Sequence, residues 1–146
     1  MIRVEVGPDP FDAATAAGAL EQGGAGGIAT FTGLVRADGG VSTLELEHYP
    51  GMTERVLRDL ADEATRRWDL SAAIILHRVG PMTVGERIVF VGTAAAHRGE
   101  AIAAMHFLID RLKTDAPFWK REHRAGGESW IEARAADDDA ADRWRE

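Results

Sequence analysis

The chain has 146 residues, enough for one hydrophobic core and so for a single domain over 1–146. Hydrophobic content of 45% and charge of 28% are those of a globular protein, and the net charge of −7 argues against general nucleic-acid binding, which needs a basic face. There are no cysteines, so disulfides, thiolate zinc sites and a cysteine nucleophile are excluded. Sulfur chemistry here would need sulfur delivered by another molecule.

Ile2, Val4 and Val6 alternate with polar residues and predict a half-buried strand, ended by Pro8 and Pro10. An Ala-rich helix is expected over 11–22, followed by a flexible GGAGG loop at Gly23–Gly27. That loop is no dinucleotide fingerprint, since the G-x-G-x-x-G spacing is absent. Ile28–Arg36 and Ser42–Tyr49 read as strands, with ADGG between them as the turn of a hairpin. Val56, Leu57, Leu60, Ala61, Ala64 and Trp68 then follow helical spacing.

Ala72–Val79 is a continuous apolar run, expected as a central strand, and GPMTVGE reads as a turn leading to a strand at Arg87–Thr93. A second long helix is predicted from His97 to Thr114, with Ala101, Met105, Leu108 and Leu112 on its buried stripe; Pro117 follows its end. Phe118–His123 and Ser129–Arg134 flank RAGGE as a C-terminal hairpin, and the acidic tail reads as a short helix. Helices and hairpins together predict an α+β fold with a mixed or antiparallel sheet. The opening MIRVEVGPDP lacks the basic start and apolar run of a signal peptide, and no run reaches membrane-spanning length. A cytoplasmic location is expected.

The chain contains two lysines, Lys113 and Lys120, against fifteen arginines. Arginine stays protonated and binds as a rigid fork, whereas lysine is a compact donor whose pKa falls on burial or beside other cations. Lys113 belongs to the last turn of the second long helix and Lys120 to the strand after it, so Pro117 turns both toward one pocket. Phe118, Lys120 and Glu122 share one strand face by the period of two, with Trp119 and Arg121 opposite. Composition drift, or a surface Lys–Glu pair worth little, would leave the same residues. His97 and Arg98 open the long helix, where orphan N–H groups favour an anion; a plain helix cap is the alternative. Arg36 and Arg134 each end a strand, as a solvated surface arginine also would. None of the five histidines has metal-ligand spacing, so neither a metal nor a cofactor is expected.

FTGLVR, LEHYPGMTE, HRVG, the AHR at Ala96–Arg98, and above all LKTDAPFWKRE followed by WIEAR resemble the large, catalytic subunit of molybdopterin synthase. The segments occur in order from the first strand to the last helix, and the LKTDAPFWKRE stretch is the most specific. The resemblance implies an α/β-hammerhead type of α+β fold with two long helices and a C-terminal β-hairpin subdomain. It also implies a sulfurtransferase of molybdenum-cofactor biosynthesis, in which two dithiolene sulfurs convert cyclic pyranopterin monophosphate to molybdopterin. Each sulfur would arrive as the C-terminal Gly-Gly thiocarboxylate of a ubiquitin-like small subunit, and the large subunits would pair as a homodimer within a heterotetramer.

Residue by residue, the resemblance makes Lys113 and Lys120 the catalytic pair. Val35, Arg36, His97, Arg98, Arg121 and Glu122 become substrate-binding positions, and Arg134 reaches a neighbouring subunit's pocket. Leu34 falls in the same substrate-binding segment but departs from the family, which can carry lysine there. A non-catalytic dimeric module binding a phosphorylated metabolite would use the same Arg and His groups, without explaining lysine at 113 and 120. A lysine Schiff-base enzyme acting on a carbonyl substrate is a further alternative.

Overall fold

A computed structural model of the chain describes residues 1–124, 127–131 and 142–144, with the backbone alone at 38 and 127–131. The elements in chain order are β1 (Ile2–Gly7), α1 (Ala13–Leu20), β2 (Gly27–Leu34), β3 (Val41–His48), α2 (Met52–Trp68) and β4 (Ala72–Arg78). They continue with β5 (Gly80–Thr83), β6 (Arg87–Ala95), α3 (Arg98–Asp115), β7 (Phe118–Arg124) and β8 (Gly127–Ile131). Two four-stranded sheets form, one ordered β1-β4-β6-β2 and the other β5-β3-β7-β8. Only the β1–β4 pairing is parallel among the described strands, so the first sheet is mixed and the second antiparallel, as an α+β fold requires.

The continuous apolar run of β4 is explained by cover on both faces. Ala73 and Ile75 pack with β6 residues Val89 and Val91 beneath α2 and α3, whereas Ile74 and Leu76 pack with Phe90 beneath α1. Along α3, Ala101, Ala104, Phe107, Leu108 and Leu112 are buried. Each such Leu or Phe contributes roughly 1.5–3 kcal/mol of hydrophobic stabilisation. This packing holds the C-terminal turn of α3, and Lys113 with it, in a fixed place against the sheet. Helix α1 begins at Ala13, later than the Ala-rich run, because the Asp12 carboxylate accepts from the Ala14 and Thr15 N–H groups at 2.9 and 3.2 Å as its N-cap.

The hairpin expected between 28–36 and 42–49 does not form. β2 pairs with β6 in the first sheet, and β3 pairs with β5 and β7 in the second. Local turn chemistry at ADGG does not choose the strand that becomes the neighbour. GPMTVGE is likewise more than a turn, since its first four residues form β5 along β3. The C-terminal hairpin is present as β7 and β8, with the second strand at Gly127–Ile131. The expected tail helix lies largely outside the described residues. Where the two sheets meet, a small third core of Val35, Leu46, Val79 and Met82 forms, flanked by Val6, Leu44, Ile88 and Phe118.

Candidate active site

This third core is the floor of the lysine site. In the β3–β7 register Lys120 lies opposite Leu46 and Phe118 opposite His48, so strand alternation puts all four on the face turned toward the first sheet. Lys113 arrives from the last turn of α3, and both lysines are half-buried. The short link between them is pinned from α2: the Thr53 hydroxyl donates to the Pro117 carbonyl at 3.0 Å and accepts from the Tyr49 N–H at 2.9 Å. Thr53 is fully buried, so the HYPGMT segment is a brace that fixes the direction of β7. Thr53 and His48 both lie inside LEHYPGMTE, where residue type alone marks neither as part of a site. Their signal was position within a specific segment, not residue type.

His77, near the end of β4 and first residue of HRVG, lies beside this site through Phe118. It is buried and lies flat against Phe118, with ring centroids 4.0 Å apart and planes 20° apart. Its Nδ1 is 2.9 Å from the Arg78 carbonyl, which can only accept, so Nδ1 carries the proton and donates. Burial pushes its pKa down from 6.5 to about 3, and the charges of Lys113, Lys120 and His48 push the same way. The ring is therefore uncharged at neutral pH, and the positive charge of both lysines reaches it.

That ring should leave a pH signature in stability. The unfolded chain takes up the His77 proton near 6.5 and the folded chain does not, so the unfolded state binds more protons between these values. The contribution is whole above about pH 6.5 and is lost as pH falls toward about 3. Between pH 7 and pH 5 the loss should be about 2 kcal/mol. Urea unfolding at both pH values checks this, with His77→Phe expected to flatten the difference.

His97 and Arg98 lie at the other end of α3. His97 is the N-cap residue, yet its side chain makes no capping bond and stays exposed, as Arg98 does. With Gly26, Ala96 and Gly99 they line an open depression of about 600 Å³ at the helix N-terminus. Arg98 and Lys113 are fifteen residues apart on a continuous helix, or about 22 Å along its axis. The N-terminal end of α3 and the lysine in its last turn are therefore widely separated within one chain.

The GGAGG loop is not slack at this end. Gly26 donates its N–H to Ala95 at 3.0 Å, and a Cβ at Gly26 would lie 2.1 Å from the Ala96 carbonyl oxygen. Gly26→Ala must displace the Ala96–His97 segment and should cost about 1–3 kcal/mol. Unfolding by urea checks the cost, and a value near zero would mean that this loop yields freely.

The remaining expected residues are distributed around the two ends. Val35 is buried in the third core, with its N–H donating to Glu86 and its carbonyl accepting from Gly85, both at 2.9 Å. It anchors the loop from which Arg36 emerges, exposed, toward solvent. Leu34 is exposed and lines a second depression, of about 480 Å³, with Phe11, Arg78 and Glu86. Glu122 shares the inward face with Lys120 and is paired with Arg124, while Arg121 lies on the opposite face, across from Glu45. Arg134 lies outside the described residues.

The family model described as MoaE protein matches residues 6–115. The molybdopterin synthase catalytic subunit of Cereibacter sphaeroides is 50% identical over 146 residues, covering 98% of this chain and 100% of that one. The protein of the same name from Escherichia coli is 47% identical, covering 97% of each. Among solved structures, a molybdopterin biosynthesis MoaE protein from Burkholderia ambifaria superposes with a TM-score of 0.85 at 45% identity, covering 99% of this chain and 98% of that one. With its fold and nearly all of its length matched, the chain belongs to the MoaE protein family.

Proposed function

We propose that this chain is the catalytic subunit of a molybdopterin synthase. It converts cyclic pyranopterin monophosphate to molybdopterin with sulfur from the C-terminal thiocarboxylate of a ubiquitin-like small subunit. Each active site takes its lysines from one chain and its helix N-terminus from a second copy. The observation that carries the reading is that Lys120 shares a strand face with Phe118, which stacks on the buried His77, and that the charges of both lysines reach that ring, in a chain 50% and 47% identical to catalytic subunits of that name.

The chemistry fits these groups. The thiocarboxylate and the cyclic phosphate are both anions, and two ammonium groups at a half-buried site offset that charge better than water-exposed ones would. Each sulfur that passes to the pterin side chain leaves a carboxylate on the small subunit, so one molybdopterin consumes two thiocarboxylates. The separation of about 22 Å between the ends of α3 supports a homodimer, because phosphate held by His97 and Arg98 must lie against another chain's lysines. A Gly-Gly tail carries no side chains and can thread a narrow groove beside Lys113 and Lys120. A binding module for a phosphorylated metabolite would need the helix end but not the lysine pair. The reading carries a cytoplasmic location with it, and no described helix is long and apolar enough to cross a membrane.

Reconstitution tests the reading. The purified chain, a thiocarboxylated small subunit and cyclic pyranopterin monophosphate should yield molybdopterin, with two thiocarboxylates consumed per product. Binding of the pterin without product would favour the binding module.

A further inference from the structure

His77 is the only histidine of the five that is buried, and its ring is held in every direction that matters. Phe118 fixes its plane by stacking, and the bond from Nδ1 to the Arg78 carbonyl fixes its rotation within that plane. Arg78 is itself anchored: its guanidinium donates to the Pro8 carbonyl at 3.0 Å and pairs with Glu86 at 3.2 Å. The carbonyl that receives the His77 proton therefore belongs to a residue tied down on the far side of the sheet. Lys120 lies two residues from Phe118 on the same strand face, the positive charges of Lys113, Lys120 and His48 reach the ring, and Glu54 stands 3.9 Å from His48.

From this we infer that His77 is a positioning residue for the lysine pair: locked in its Nδ1–H tautomer, it offers the Nε2 lone pair as a fixed hydrogen-bond acceptor to a lysine ammonium. An ammonium has three donors and no acceptor, so its direction is set by whichever acceptors surround it. A carboxylate here would orient a lysine too, but it would neutralise the charge and compete with the anionic tail and phosphate. An uncharged imidazole orients without neutralising. With its pKa near 3, His77 is far too weak a base to take a proton from an ammonium, so it is not the general base of the reaction.

The inference rests on the proposed sulfur transfer for its kinetic consequence, while its structural content can be read independently. Nitrogen-15 NMR of the imidazoles in the full chain should find His77 as the Nδ1–H tautomer, unchanged from pH 8 to pH 5. An Nε2–H tautomer, or titration near 6.5, would overturn the inference whatever the enzyme does. In the reconstituted synthase, His77→Phe keeps the stacking surface but removes the acceptor. It should lower kcat by roughly 10–100-fold with little change in KM for the pterin, as expected for misdirected catalytic groups. His77→Gln, whose amide oxygen restores an acceptor, should recover most of that loss. A folded Phe variant with wild-type kcat, or Gln and Phe variants equally impaired, would overturn the positioning role. An inactive wild-type chain would instead count against the sulfur-transfer reading. If His77→Phe fails to fold, the tautomer measurement decides.

Discussion

Lys113→Arg and Lys120→Arg should each fold normally and lose at least about 100-fold in kcat for sulfur transfer, because charge is conserved while its position and chemistry are not. Both lysines are half-buried, and Lys120 shares a strand face with Phe118, which stacks on His77. A guanidinium is wider and planar, and its five donors point in fixed directions, so it cannot occupy the position of a compact ammonium. It also stays protonated, which removes any step in which the group gives up a proton. The fold should survive, since the core beneath the lysines is built from Leu112, Phe118 and the third cluster and not from the lysine stems. Single-turnover formation of molybdopterin from thiocarboxylated small subunit measures the loss directly. A variant with near-wild-type turnover would reduce that lysine to a general anion binder. Loss of pterin binding with kcat retained would assign it to the ground state instead.

Much of this arrangement was legible in the sequence, and the parts that were not share a cause. The apolar run of β4, the stripe of α2 and the span of α3 up to Pro117 are set by local periodicity and local breakers, and the structure follows them. The pairing of β2 and β3 was misread because strand partners are chosen by long-range burial, which a turn between neighbours does not report. GGAGG read as slack for a similar reason: Gly26 is there for the Ala96 carbonyl, seventy residues on. The lysine pair stood out because lysine is rare in this chain. His77 did not, since an apolar strand carrying one histidine gives no sign that two cations will meet it. The distance between the two ends of α3 was implicit in the helix length, yet its consequence appears only under the proposal that both ends bind substrate.

The most direct test of the account is complementation between two inactive chains. Arg98→Ala and Lys113→Ala should each be nearly inactive alone, one lacking the phosphate end of the site and the other a catalytic lysine. In a two-fold dimer with sites shared between chains, a mixed dimer of these variants assembles one site from an intact Arg98 and an intact Lys113, and one site with neither. Random exchange makes about half of the dimers mixed, so equimolar chains should recover about a quarter of wild-type activity. Co-expression with two different tags, followed by isolation of the mixed dimer, should raise this to about half, because one of its two sites is intact. If Arg98 and Lys113 instead served the same chain's pocket, every site in the mixed dimer would lack one group. Activity would then stay at the level of the single variants, and that result would contradict the shared site.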